Sequence, residues 1–497
     1  MSSLISQISS VSSARYGVNI LEQDPPSGVN GAASNVIAIV GDFPWGPVDT
    51  VTTIDDPAAL FAAFCPLEFG AANSYTAMRA FANKRFPGPL KIARTSNGSA
   101  AAAARTFDDA SAGDSVTVTA KYPGVLGNSI SIAWTANADD ATARDATVTI
   151  GTAYTATYTR VATIVSSALV VTDPGDPFVT FSKPSGGTLV PVAASAAALT
   201  SGADGTAVAG DYTACIDLFS DASQKWNVGF VAELPSAMAD TVNAYLKTFA
   251  DTHLRGRWIM SSVPSQSKST AQTYVATYRS DRLTMVWPQV KTANPFDPNR
   301  AEITVDGNAF AACAFAGVDP WESPGGAPGA EWMRGITGLA QAASLADLNA
   351  MNAKGISPFF MSTAMEGAIL HNALTTSLTS GKTKAFRRAM TDYLVESLAA
   401  YLEPFTGRAL DIDLRNRRLG AVTGPEIGGM EQFLAQLADD EHLRDWSVDP
   451  FGANVQTNIN SGQWKILLAV QLMSVQEQII LLANVGEAVT VTEVEEA

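Results

Sequence analysis

A chain of 497 residues has material for about three domains by the usual prior of ~150 residues each. It is 46% hydrophobic and only 16% charged, which gives it large cores and a charge-poor surface suited to protein contacts. Its net charge of −16 argues against a nucleic-acid-binding surface, which needs clustered Lys and Arg to neutralise phosphates.

In chain order, Val18 and Ile20 come after Tyr16 at period two, which predicts a strand from Gly17 to Leu21. Pro25 and Pro26 have no N–H to donate to a ladder and detach that strand from the rest of the chain, so residues 1–26 read as an extended arm. The opening "MSSLISQISSVSSARYG" has neither the basic start nor the apolar core of a signal peptide, so export by that route is not expected. The run NVIAIVG, Asn35 to Gly41, is short, continuous and rich in Val and Ile, as expected of a strand covered on both faces. Helical spacing in PAALFAAF and SYTAMRAFANKRF, then a strand in PLKIART, completes a βαβ-like opening that ends at Thr95.

At Ser96 the composition changes. A small, polar connection, SNGSAAAAARTFDDASAG, leads into SVTVTAKY, NSISIAW, ATVTI, YTATYTRVATI, ALVVT and FVTFS. Such short alternating segments, punctuated by Gly, Pro, Asp and Asn, predict an all-β module inserted at about residues 98–200. The α/β rhythm then resumes, with strands in WNVGFVAEL, RWIMSSV and RLTMVWPQV separated by helices in SAMADTVNAYLKTFADTHL and STAQTYVATYRS. That alternation implies a parallel sheet covered by helices, closed by the Pro and Gly cluster from Val318 to Trp332.

The last third opens with a strand-like ISPFFMSTA. A long amphipathic helix comes next in TKAFRRAMTDYLVESLAAYLEPF, where Phe386, Met390, Tyr393, Leu394, Leu398, Tyr401 and Leu402 recur at helical spacing. A second helix, GPEIGGMEQFLAQLADDEHL, precedes WSVDP, NVQTNIN, GQWKILLAVQLM and EQIILLANV. Ala488 to Val494 forms a short alternating strand in an acidic tail. The expected fold is therefore α+β and multidomain. An α/β middle domain spans 27–97 plus 201–350 and carries an inserted β-rich domain at 98–200. A C-terminal α+β domain spans 351–487, and extended arms lie at 1–26 and 488–497.

The reactive side chains form no recognisable catalytic or ligand-binding motif. His253, His371 and His442 lie in separate segments without ligand spacing to Cys or carboxylates, so no metal site is expected. Cys65, Cys215 and Cys313 are odd in number and far apart, which argues for buried thiols rather than a disulfide framework. SLTSGKTK ends like a phosphate-binding loop at Gly381, Lys382 and Thr383, but Thr376 stands where that loop needs its first glycine. GADGT reads as a turn rather than a calcium loop, and no G-x-S-x-G elbow occurs. No catalytic, cofactor-binding or metal-binding residue is assigned. No apolar run approaches the ~20 residues that cross a bilayer, so membrane insertion is not expected either.

Two features rise above background. Lys382, Lys384, Arg387 and Arg388, with Arg408, Arg415, Arg417 and Arg418, gather in an otherwise acidic chain. They read either as helix-surface charges paired with Asp392, Glu396, Asp411 and Asp413 or as a docking face for an acidic partner. The terminal strands, Gly17, Val18, Asn19, Ile20 and Leu21 at one end and Ala488, Val489, Thr490, Val491 and Thr492 at the other, read either as frayed ends or as strands that add to a neighbour's sheet.

The order of several motifs resembles contractile tail sheath proteins. GVNILEQDPPSGVNGAASNVIAIVGDFPWGPVDTVTTI is similar to their opening, ANKRFPGPLKIART to the segment after it, and KYPGVLGNSISI to the start of their inserted domain. LTSGADGT followed by DYTACIDLF resembles the re-entry into their middle domain, and DDEHLRDWSVDP through VQEQIILLANV is similar to their C-terminal domain. The loop from Val318 to Trp332 departs from them in lacking an Arg-Thr-Asp pattern.

The resemblance implies a structural, non-enzymatic subunit without a cofactor. Such subunits form six-fold rings of their own copies around a tail tube, between a baseplate and a tail terminator, and contract to drive the tube through a host envelope for genome ejection. It implies a place in the virion tail, assembled in the host cytoplasm, with no direct nucleic-acid contact. It also implies that the terminal strands flank a sheet built from KILLAVQL and IILLANV in neighbouring subunits, and that Lys382, Lys384, Arg387 and Arg388 face the tube. The rival readings are a surface-array protein, which needs an export signal, and an α/β enzyme with a β insertion, which needs a concave site with converging polar groups.

Overall fold

The computed structural model describes residues 29, 31–32, 35–64, 88–95, 98–152, 154–294, 301–363, 365–403, 425–449 and 465–473. They form two compact units, a larger one from residues 33–392 and a smaller one from residues up to 32 and from 393 to 474. The predicted arms, the helix at 74–86, and the segments NVQTNIN and EQIILLANV lie outside the described residues.

The larger unit opens with β1 (Ile37–Gly41), β2 (Val51–Ile54), α1 (Pro57–Phe64) and β3 (Leu90–Arg94). The insert comes next as β4 (Ala104–Asp108), β5 (Asp114–Ala120), β6 (Ile130–Ala136), β7 (Ala143–Ile150), β8 (Tyr154–Val165), β9 (Ala168–Val171), β10 (Val179–Ser182) and β11 (Ala194–Ala198). The chain returns through α2 (Ala209–Asp217), β12 (Val228–Val231), α3 (Ser236–His253), β13 (Arg257–Ser261), α4 (Lys268–Val275), β14 (Leu283–Trp287), β15 (Val290–Ala293) and β16 (Glu302–Val305). Then come α5 (Asn308–Gly317), α6 (Ala327–Ala330), β17 (Ile336–Leu339), α7 (Leu345–Asn352), β18 (Ile356–Ser362), β19 (Gly367–Leu370) and α8 (Ala385–Leu402).

One eight-stranded sheet organises this unit, in the order β19-β18-β14-β13-β12-β1-β3-β2. Its six central strands run parallel and only the edge strands β2 and β19 are antiparallel. Parallel strands need cover on both faces, and the period-two alternation supplies it. Ile37, Ile39, Val228, Phe230 and Ile259 share one core with α5, whereas Ala38, Val40, Trp258 and Met260 share the other with α2 and α3. Helix α5 is buried from Asn308 to Ala316, so its sequence NAFAACAFAG has no polar face and no helical period to detect.

The sheet also redraws two expectations. RLTMVWPQV divides into β14 and β15, because Pro288 has no N–H to continue a ladder. The expected boundary at residue 351 moves to Asp392, because β18 pairs with β14 and extends the main sheet. The Pro and Gly cluster does close the sheet's edge: the Gly326 N–H donates to Leu370 O of β19 at 3.0 Å.

The insert is a sandwich of a three-stranded sheet, β10-β5-β4, and a five-stranded sheet, β11-β6-β7-β8-β9. Trp134 fills its centre, edge-on to Phe107 and Phe181 at ring separations of 5.8 and 6.0 Å. Asp176, 1% exposed, is fully satisfied: it accepts from the hydroxyls of Tyr154 and Tyr158 and from the N–H groups of Phe178 and Val179. Strand β4, the Ala-rich β11 and the short β2 are additions to the elements expected from the sequence.

The smaller unit holds the second half of α8, α9 (Pro425–Asp439), and a hairpin of β20 (Leu443–Asp449) and β21 (Leu467–Leu472). The Tyr393 and Phe433 rings meet at 6.2 Å, and Gly429 leaves the space that the Tyr401 ring occupies. Gly31 and Ala32 lie against α8, where the Ala32 N–H donates to Ser397 Oγ at 2.8 Å. Residues 31–32 are therefore held against α8.

Candidate functional site

In sheets of this type ligands bind beyond the carboxyl ends of the strands, where the strand order reverses. Here the reversal falls at β1, between β3 and β12, and the chain fills the crevice itself. Arg94, the last residue of β3, is 1% exposed and donates to Gly46 O and to Pro123 O, each at 2.9 Å. The first carbonyl belongs to the loop after β1 and the second to the insert, so one guanidinium ties the two together. Asp42, Asp204 and Asp49 surround it. Burial pulls the Arg94 pKa down to about 10 while these carboxylates oppose the change, so the group remains charged. Burial raises Asp42, and Arg94 counters that.

The rest of the junction is backbone packing. Asp204 Oδ1 accepts from the Val125 N–H at 2.7 Å, and Asn128 exchanges two hydrogen bonds with the Gly202 backbone at 2.9 and 2.8 Å. Gly124 sits at φ 143°, and a Cβ on Gly202 would lie 2.5 Å from Gly124 O, so the two glycines let the loop after β5 and the segment leaving the insert touch. Trp45 leaves the loop after β1 and enters the insert's core, meeting Tyr122 at 5.4 Å and Phe178 at 6.1 Å. GDFPWGPV, KYPGVLGN and SGADGT, distant in sequence, thus meet at one buried point.

The basic stretch resolves residue by residue. Arg388 pairs with Asp392 and, at 3.6 Å, with Asp281. Asp392 also takes two hydrogen bonds from the buried Arg282, at 3.0 and 3.1 Å. Lys382 pairs with Asp281 at 3.3 Å but leaves 60% of its side chain exposed. Arg387 is half-buried, with its guanidinium 6.0 Å from the Phe386 ring centre. Arg388 is therefore an internal tie, and Lys382 is the group most available to a partner. Arg408, Arg415, Arg417 and Arg418 and the terminal strand residues lie outside the described residues.

The hairpin of the smaller unit has one strand pairing among the described residues. Leu467 is 52% exposed and residues of both strands remain half-covered. A two-stranded hairpin is marginal alone, and both of its outer edges carry backbone groups able to pair. Among the described residues no cluster of His, Cys, Asp and Glu suits a metal, and no helix is long and apolar enough to cross a membrane.

Comparison with known proteins agrees with the motif order. Residues 96–204 match the family described as phage tail sheath protein beta-sandwich domain. No curated protein sequence matches the chain. Among solved structures, the chain is similar to the sheath tail protein of Listeria innocua, with a TM-score of 0.61 and 14% identity over 89% of this chain and 96% of that one. It is similar to the sheath tail protein of Desulfitobacterium hafniense, with a TM-score of 0.57 and 19% identity over 87% and 93%. The helical sheath of the anti-feeding prophage in its contracted state gives 0.58 and 13% over 95% and 99%. At these identities the likeness is one of fold, and it bears out the resemblance read from the sequence.

Proposed function

We propose that the chain is the structural subunit of a contractile tail sheath, of a phage or of a related injection system. The observation that carries this reading is the sandwich at residues 96–204, set in a fold shared with sheath proteins over most of the chain. The plugged crevice at β1 supports a non-enzymatic role, since Arg94 and the insert's own backbone occupy the place where a substrate would sit.

In this reading the subunit polymerises as six-fold rings around a tail tube, anchored on a baseplate and ended by a terminator. Residues 17–21 and 488–494 add as strands to the hairpin sheets of neighbouring copies, as backbone edges favour. The hold of Ser397 on Ala32 sets where the arm leaves the body. Contraction needs no nucleotide if the extended lattice is kinetically trapped above a better-packed one. Lys382 and Lys384 face the tube and bind it weakly enough to release it. Contraction then pushes the tube through a host envelope and opens the path for the genome.

Electron microscopy of the concentrated, purified chain tests this reading. Six-fold rings or ring stacks are expected. A monodisperse monomer at every concentration, with or without a tube template, contradicts it.

A further inference from the structure

Two acidic residues, Glu233 and Asp306, come together at the carboxyl ends of the strands, where β12 turns into α3 and β16 into α5. The Asp306 N–H donates to Glu233 Oε1 at 2.7 Å, and Gln289 Nε2 donates to Asp306 Oδ1 at 3.0 Å. Asp306 is 2% exposed, and Glu233 is mostly covered. Glu233 also holds left-handed backbone at φ 43°, a conformation a non-glycine residue adopts only when its surroundings impose it.

The polar groups that face Asp306 are neutral: Ser261 at the end of β13, Gln289 after β14, Asn308 at the start of α5 and Asn243 on α3. Among the described residues no Lys, Arg or His forms an ion pair with either carboxylate. A void of about 10 Å³, room for one water, adjoins Asp306 and is lined by Asn243, Ser261, Ser262 and Asn308. Asn308 is 2% exposed, and its Oδ1 accepts no hydrogen bond.

Two adjacent carboxylates without a cation cannot both ionise cheaply, and the least costly solution is one proton between them. We propose that Glu233 and Asp306, as a pair, keep one proton at neutral pH, and that its loss under alkaline conditions loosens the strand ends from which α3 and α5 start. The electrostatics agree. Burial, and then the charge of Asp306, push Glu233 well above the usual carboxylate range, and burial pushes Asp306 up to about 6. Folded pKa values above the unfolded ones mean that the stabilisation is complete at acid pH and is lost as pH rises. For Asp306 the loss runs from about 4 to about 6, and Glu233 extends it upward. The pair's proton does not depend on assembly into a sheath.

Hydrogen exchange of the full-length chain, read on peptides covering Asp306 to Ala316 and corrected for intrinsic exchange, tests the pair between about pH 5 and about pH 9. In the wild-type chain the opening constant rises, by up to about tenfold per pH unit. In Glu233→Gln, which keeps the shape without the proton, the rise above about pH 6 disappears, and only the Asp306 part below it remains. An equal rise in both chains overturns the proposal, as does a rise abolished by millimolar Ca²⁺ or Mg²⁺, which would make a cation the occupant. Should Glu233→Gln fail to fold, infrared spectroscopy of the wild-type chain decides. A protonated-carboxyl carbonyl band at neutral pH that fades on alkalinisation is expected, and no such band overturns it.

Discussion

Replacing Arg94 by Met keeps much of the side chain's bulk and removes its charge, which isolates the electrostatic tie between the insert and the α/β core. The substitution leaves Gly46 O and Pro123 O without their donor and takes from Asp42 the cation that opposes its burial. A buried polar group that loses its partner costs about 1–3 kcal/mol, and the exposed Asp42 adds little to that. Two carbonyls lose their donor, so about 3–4 kcal/mol of local stability is expected to be lost. Hydrogen exchange suits a chain of several units better than a global melt. At ~1.4 kcal/mol per tenfold, protection of the Gly124 and Val125 amides should fall by about a hundredfold or more in Arg94→Met. The amides of β13 and β14 should change little. Arg94→Lys should fall between the two chains, because an ammonium lacks the fork that reaches both carbonyls. Unchanged protection at Gly124 and Val125 in Arg94→Met would refute the view that this guanidinium locks the insert.

Asp392→Ala strips Arg282 and Arg388 of their shared carboxylate and should lower stability by about 3 kcal/mol, read as a reduced denaturant midpoint; a loss under ~1 kcal/mol would make the network incidental. Burial pushes the Cys215 thiol up to about 12 and Cys313 is fully buried, so neither should react with iodoacetamide in the native chain at mildly alkaline pH, as peptide mapping would show. The Lys268 hydrogen bond, followed by those from Ser344, holds Asp347 down to about 2. Its folded pKa lies below the unfolded one, so its contribution is present above about 4 and fades as pH falls through about 2. Lys268→Ala should move the Asp347 titration upward towards the ordinary carboxylate range in a carbon-detected NMR titration; an unmoved titration would assign the effect to Ser344 alone.

The sequence showed the insert plainly, because SVTVTAKY, NSISIAW and YTATYTRVATI alternate at the strand period and turn residues bound them. It hid β4, which lies inside what reads as a small polar connection, β11, whose Ala-rich run carries little strand preference, and α5, whose burial on all sides removes the period that marks a helix. The junction was visible only in fragments. Pro-Gly and Gly-Asn motifs were recognisable, but nothing local reveals that Trp45 enters another domain's core or that Arg94 reaches Pro123. Glu233 and Asp306 stand 73 positions apart and had no signal at all, because only the sheet's crossover brings their strand ends together. Pairing of Arg388 with Asp392 was legible from their helical spacing, whereas Asp281 enters only through the fold.

Assembly through the terminal strands is tested most directly by electron microscopy of the full-length chain beside one lacking residues 1–26. Stacked rings or tubes from the full chain, reduced to single subunits or isolated rings in the truncated one, are the predicted result. Identical tubes from both would contradict strand exchange through the N-terminal arm, and dispersed subunits from both, even on a tube template, would contradict the sheath itself.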